Sequence, residues 1–345
     1  MRVLKLVGQR EFRWEEKDTC TPGLGEVRLR VRSVGICGSD IHVYAHGRIG
    51  ETVLKSPLIL GHEFSATINE LGPGVKGLSL RQLVAVDPSV PCERCEFCLQ
   101  GNPNFCQSLR FLGSWPHDGA LSEFLCYPAH LVHPVPEEIF TSSDAAMIEP
   151  LGVALHSLKL GHVHPGDSVA VHGCGPIGLL LIQLVRNAGA IEIIAIEPIP
   201  HRRQMALELG ATHSLSVDDH QVEGVLEITK GRGVDRVFEA AGENEAVGDA
   251  IEVCKPGGRV VLIGIPVGDV TSFRASPARH KGLTIMLVRR MRHTYPRAIS
   301  LVEAGKVDVR RMVTHHLPFE QTPDAFRIVE NREDDVVKAV IHMSE

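Results

Sequence analysis

Cys37, in the run GICGSDIH, is followed closely by Ser39, Asp40 and His42, and the later run LGHEF adds His62 and Glu63. A thiolate, an imidazole and a carboxylate are donors of an open zinc site, in which one coordination position stays available to water or substrate. Glu149, in IEPLGVALH, offers a second carboxylate to the same set. A different arrangement stands in PCERCEFCLQGNPNFC, where Cys92, Cys95, Cys98 and Cys106 follow C-x2-C-x2-C-x7-C. That spacing lets one short lobe bring four thiolates onto a tetrahedral zinc, about 2.3 Å from each sulfur, leaving no position for substrate. An iron–sulfur cluster competes for the same pattern, but the ferredoxin run continues with three residues and Cys-Pro, which this chain lacks.

A third motif, VHGCGPIG, supplies Gly173, Gly175 and Gly178 in G-x-G-x-x-G spacing, between a strand-like and a helix-like run. The first glycine permits a tight turn and the second lets backbone approach a pyrophosphate. The third allows close helix packing, with the phosphates at the positive helix end. The next strand-like run ends at Glu197, where a carboxylate can accept hydrogen bonds from ribose hydroxyls. Arg202 and Arg203 could pair with a 2′-phosphate, but Glu197 would repel it, so NAD is expected over NADP.

Two kinds of scaffold have to position these groups. The amino-terminal part carries short β-type runs such as EVRLRVRSV between glycine and proline turn signals, the texture of a β-barrel. From Asp167 strands and helices alternate. DSVAVHG, IEIIAIE, VDRVFEAAG and GGRVVLIGI read as strands, and LLLIQLVRNAG, HRRQMALELGA and NEAVGDAIEVC read as helices. That order implies an α/β fold, a doubly wound parallel sheet with helices on both faces. The expected division is a β-barrel domain over 1–146 and 288–345 and a nucleotide-binding domain over 147–287.

Composition agrees with two cores, since 345 residues exceed the usual single-core size and 43% of them are hydrophobic. A formal charge of −6 and a pI near 6.3 give no broad basic surface, which argues against nucleic acid and anionic membrane as partners. No apolar run approaches the ~20 residues of a membrane helix, and the start of the chain lacks an apolar leader, so cytoplasm is expected. Nine cysteines, an odd and uneven set, suggest metal chemistry more than a disulfide framework. Cys20, Cys126, Cys174 and Cys254 are isolated and read as buried or spectator thiols.

With GICGSDIH, HGRIG, LGHE, the four-cysteine lobe, EPLGVALH, GCGPIG, VLIGIP, HTYPRAI and VTHHLPFE in place, essentially the whole chain resembles the zinc-dependent medium-chain dehydrogenases. HGRIG, EPL and TYP point to their sorbitol (polyol) dehydrogenase branch. The resemblance implies a GroES-like catalytic domain, completed by the carboxy-terminal segment, around an inserted Rossmann coenzyme domain. It assigns Cys37, His62 and Glu63 to a catalytic zinc, Glu149 to that metal or its water, and the cysteine lobe to a structural zinc. Ser39 would take the substrate proton, His42 would pass it on, and Asp40 would orient His62. Gly173, Gly175, Ile177, Gly178, Glu197, Arg202, Ile263, Gly264, Ile265, Val288, Arg289 and Arg290 fall on cofactor positions, Arg290 also on a substrate contact.

The activity so implied is hydride transfer from a secondary hydroxyl of a polyol to NAD, giving a ketose, in a homodimer or homotetramer. Val43 and Met291 stand where the branch commonly places aromatic or polar substrate contacts, so the particular polyol stays open. L-threonine dehydrogenases share the zinc motifs but fit HGRIG, EPL and TYP less well. Arg289, Arg290 and Arg292 leave room for a phosphorylated polyol. A nucleotide-binding relative without alcohol oxidation is opposed by the intact Cys37, His62 and Glu63.

Overall fold

In the computed structural model, which describes residues 1–218 and 220–343, the chain divides into two compact units. One comprises Met1–Pro150, Tyr295–Glu303 and Asp308–Glu345, and the other Leu151–Thr294 and Ala304–Val307. The expected bounds differ in giving 147–150 to the second unit and, to the first, both 304–307 and 288–294. The latter segment stays with the second unit because it leaves its last strand directly, the Val288 amide still donating to Leu262 O at 2.9 Å.

The strand Glu26–Gly35 organises the first unit. Its sequence alternates, so Val27, Leu29 and Val31 enter the core while Arg28, Arg30 and Arg32 point away. On one side it pairs antiparallel with Glu63–Leu71, which continues to Leu83–Val86 and Val132–Pro134. On the other it meets Lys338–His342, which is parallel to Val313–Pro318, and Phe124–Pro128 also joins it. The carboxy-terminal strand is therefore a direct neighbour of the strand that leads into Cys37. The mixed β texture of the sequence corresponds to this seven-stranded sheet and a smaller one of Glu11–Glu16, Arg2–Gly8 and Leu58–Ile59.

Cys20 and Cys126 are not spectator thiols, because they form a disulfide across a sequence separation of 106. The sheet register explains the meeting: Cys126 lies opposite Arg28, whose guanidinium donates to Cys20 O at 3.2 Å. Cys174 and Cys254 are buried and free, as expected.

The second unit holds a six-stranded sheet in the order His213–Leu215, Glu192–Ile196, Ser168–His172, Val234–Glu239, Cys254–Leu262, Thr284–Leu287, with every neighbouring pair parallel. Strands covered on both faces read as continuous apolar runs, and all of Ser168–His172 is buried. Strand order reverses beside Ser168–His172, the position where an open α/β sheet offers a crevice to a ligand. Each strand and helix named from the sequence is present. The helices Gln221–Ile228 and Ala275–His280 are additional and too short to stand out by periodicity.

The glycine-rich turn leaves Ser168–His172 at this reversal. Gly173 has φ +84°, and a Cβ there would lie 2.8 Å from the Ala241 amide. Gly178 lies in the first turn of the helix Pro176–Asn187, where a Cβ would fall on Gly173 O. Gly178→Ala should therefore lower stability by about 1–3 kcal/mol through overpacking. Denaturant titration checks this, and an unchanged midpoint would show that the turn gives way freely.

Candidate functional site

Cys37 caps the helix Gly38–His46, and the helix's third residue, Asp40, closes the cap by accepting from the Cys37 amide at 3.1 Å. The other Asp40 oxygen lies 3.4 Å from His62 Nδ1, in a pair almost wholly buried. This contact fixes the ring so that Nε2 is the nitrogen available to a metal. Ligand atoms of Cys37, His62 and Glu63 all lie within 4.8 Å of one another, a set that can hold zinc and leave a position open. Burial opposes charge on His62, yet Asp40 and then Cys37 hold it well above the usual imidazole range. The pocket thus favours positive charge at the place where a cation fits.

Ser39 Oγ is 3.4 Å from His62 Nε2. His42 follows one helical turn later on the same face, half-buried, its pKa lowered by burial and then by His46. A hydroxyl at the metal side and a neutral imidazole behind it can carry a proton outward.

Glu63 forms a buried ion pair with Lys338, whose ammonium also donates to Ile36 O at 2.9 Å. The carboxylate reaches Lys338 by crossing Gly35, where a Cβ would collide with its Oε2. Burial works against charge on Lys338, but Glu63 and Cys37 keep its pKa raised. Glu149 stands outside the 4.8 Å set. It is buried in the same unit, and burial pushes it up to about 8, with His62 opposing the rise and Glu63 adding to it.

The four cysteines of the lobe also form one ligand set within the same limit. Cys95 caps the short helix Glu96–Leu99 and Cys98 lies within it, and backbone amides of Cys98 and Gln107 bring Cys95 down to about 6. Burial and the neighbouring thiols push Cys98 up to about 12. Four thiolates at this spacing need a cation among them to ionise together.

The residues expected to bind a dinucleotide all belong to the second unit. Glu197 is buried beside the glycine-rich turn, accepting from Cys174 N at 2.7 Å and Ile199 N at 3.0 Å. Arg203, offered above as a partner for a 2′-phosphate, instead donates to Glu197 O at 2.8 Å, Pro198 O at 2.7 Å and Ser216 Oγ at 3.3 Å. Ile177 opens the helix of the turn, Arg202 lies in the helix Pro200–Leu209, and Ile263, Gly264 and Ile265 follow the strand Cys254–Leu262. Val288, Arg289 and Arg290 follow Thr284–Leu287, with Arg290 at φ +55°. Val43 and Met291 are buried, and Met291 packs so closely on Gly152 that a Cβ there would meet its sulfur near 2.5 Å. Sequence reasoning missed Lys338, which stands near no motif, and the role of Gly35, which opens GICGSDIH but shows its purpose only against the Glu63 carboxylate.

Two family models match the chain: an alcohol dehydrogenase GroES-like domain over residues 23–137 and a zinc-binding dehydrogenase over residues 176–304. Sorbitol dehydrogenase of Bacillus subtilis is 32% identical over 99% of this chain and 97% of its own length. D-xylulose reductase A of Aspergillus oryzae is 37% identical over 88% of this chain and 86% of its own. An alcohol dehydrogenase structure from Escherichia coli CFT073, complexed with NADH, superposes with a TM-score of 0.90 at 29% identity, covering 99% of both chains. A zinc-binding dehydrogenase structure from Sinorhizobium meliloti, bound to NADP, gives 0.88 at 28% identity, over 99% of this chain and 98% of that one.

Lys338→Met should leave Glu63 as a buried unpaired carboxylate, a change that costs about 3–5 kcal/mol. Equilibrium unfolding of the variant measures it. A loss below 1 kcal/mol would show that the pair does not hold these strands together.

Proposed function

The chain belongs to the zinc-binding dehydrogenases with an alcohol dehydrogenase GroES-like domain, and on that premise we propose that it oxidises a secondary hydroxyl of a linear polyol to the ketose with NAD. It is an oxidoreductase that uses zinc and a nicotinamide dinucleotide. The observation that carries the substrate reading is the convergence of Cys37, His62 and Glu63 in a chain whose relatives include a sorbitol dehydrogenase and a xylulose reductase. The ligand atoms fit zinc in donor type and number, and the cysteine lobe fits a second, structural zinc. When bound, the catalytic metal supplies Lewis acidity toward the substrate oxygen and the dinucleotide supplies a hydride acceptor.

The chain's own residues do the rest. Asp40 holds His62 in the tautomer that presents Nε2. Ser39 Oγ takes the proton leaving the substrate hydroxyl and passes its own to His42, from which it reaches solvent. Glu149, a buried carboxyl that desolvation pushes up to about 8, offers a hydrogen-bonding group to bound water or a second substrate hydroxyl. A vicinal diol uses that extra polar group, whereas a simple alcohol leaves it unpaired. Glu197 favours NAD over NADP: a unit charge about 5 Å from a 2′-phosphate costs up to roughly 3 kcal/mol at an effective dielectric of 20. The commitment of Arg203 to backbone carbonyls supports the same choice.

We place the protein in the cytoplasm, supported by the free thiols of Cys174 and Cys254 and opposed by the Cys20–Cys126 disulfide. No helix among the described residues is long and apolar enough to cross a membrane. A homodimer or homotetramer is supported by the edge strand Thr284–Leu287, which carries the exposed Leu287.

A panel of sorbitol, xylitol, ribitol, galactitol, a polyol phosphate, L-threonine and ethanol, each with NAD and with NADP, tests the proposal. A pentitol or hexitol with NAD should lead, and ethanol should be poor. Threonine or ethanol in first place would overturn the polyol reading, and a phosphate in first place would make the Arg289 to Arg292 cluster a substrate site. Cys37→Ser should abolish turnover while the protein still binds NAD, and retained turnover with normal zinc content would remove Cys37 from the mechanism.

A further inference from the structure

Glu239 ends the strand Val234–Glu239 with its side chain almost wholly buried, yet it belongs to no motif and takes no part in the chemistry above. Its Oε1 accepts from the amides of Ala241 at 2.8 Å and Gly242 at 2.6 Å. Burial raises the pKa of this carboxyl, and the amides of Gly242, Ala241, Gly264 and Glu243 oppose the rise. Its main-chain oxygen accepts from Ile263 N at 2.8 Å and Gly264 N at 3.1 Å. One residue thus fastens two loops: the turn after its own strand and the segment Ile263–Ile265 after the neighbouring strand.

These loops approach as closely as backbones can. A Cβ on Gly264 would fall on Gly242 N and lie 2.9 Å from Glu239 Oε2, and one on Gly242 would lie 2.9 Å from Ile265 O. The same turn supports the glycine-rich motif. Ala240 N donates to His172 O at 2.8 Å, and Gly173 rests against Ala241. A chain of contacts therefore runs from Gly173 through Ala241 and Gly242 to Gly264, and the Glu239 carboxylate is its common acceptor.

We propose that Glu239 is a positioning residue for the dinucleotide, setting the spacing between the Gly173–Gly178 turn and the Ile263–Ile265 loop. The inference rests on the reading that these two loops hold NAD. A carboxylate suits the task because both of its oxygens only accept, whereas a glutamine can serve Ala241 N and Gly242 N with its single oxygen only by turning its NH2 group to the Oε2 position, against the Gly264 backbone. An aspartate keeps the charge but is one methylene short, so it should retain the arrangement in part.

The test compares wild type, Glu239→Gln and Glu239→Asp by direct NAD titration, steady-state kinetics and melting with and without NAD. Glu239→Gln should weaken NAD binding and raise KM for NAD by about ten- to a hundredfold, the weight of one unsatisfied buried amide. Its kcat at saturating NAD should fall less than about threefold and KM for the polyol should stay put, since the loss is in dinucleotide binding. Glu239→Asp should fall between Glu239→Gln and wild type. A purely structural role would instead lower melting temperature, kcat and both KM values together, and that pattern overturns the proposal. Unchanged NAD affinity in Glu239→Gln also overturns it. If Glu239→Gln does not fold, Glu239→Asp decides alone: wild-type NAD affinity would reject the proposal. Failure of wild type to bind NAD is a separate result and would reject the reading of the two loops.

Discussion

The first unit depends on the buried ion pair between Glu63 and Lys338. Its two members come from strands on opposite sides of Glu26–Gly35, and they meet where that strand gives way to Cys37. Burying two charges is costly unless they are paired and their remaining hydrogen-bonding capacity is met. Lys338 meets part of that demand through Ile36 O, and Gly35 meets the steric part by having no side chain. One consequence concerns the metal ligands: with Oε2 held by Lys338, Glu63 has one oxygen left to turn toward a cation.

A second constraint is the division of labour between the units. Every group proposed to handle the proton or the catalytic metal belongs to the first, and every residue of the glycine-rich turn and its neighbouring loops to the second. Within each, precision comes from backbone amides converging on a buried carboxylate. Asp40 collects Cys37 N and Gly61 N while orienting His62, and Glu197 collects Cys174 N and Ile199 N. Such carboxylates stiffen loops that would otherwise be free to vary, which is what a site needs when a small displacement of reacting groups is expensive.

What could be read in the sequence was what is local. The cysteine lobe, the glycine-rich turn with its flanking strand and helix, and the alternation of the parallel sheet all lie within short windows where spacing fixes geometry. Cys37, His62 and Glu63 could be proposed as a set from their donor chemistry and were assigned through resemblance, since their spacing alone does not dictate that they meet. The partners set by long-range register were not legible: Lys338 lies 275 residues from Glu63, and Cys20 lies 106 from Cys126. Nor did any pattern mark Glu239, because its partners are backbone amides, which every residue but proline possesses.

The place of Lys338–His342 in the sheet bears on how the protein is made. The first unit lacks an inner strand of its sheet, and the partner of Glu63, until Lys338–His342 has been made, after all of Leu151–Thr294. The inserted unit has by then been available nearly in full, from Leu151 to Thr294. Domains tend to fold as units during synthesis, so here the order of completion runs against the order of translation. In the nascent amino-terminal sheet Phe124–Pro128 already covers the first half of one edge of Glu26–Gly35, and only its Ser33–Gly35 end waits for the late strand.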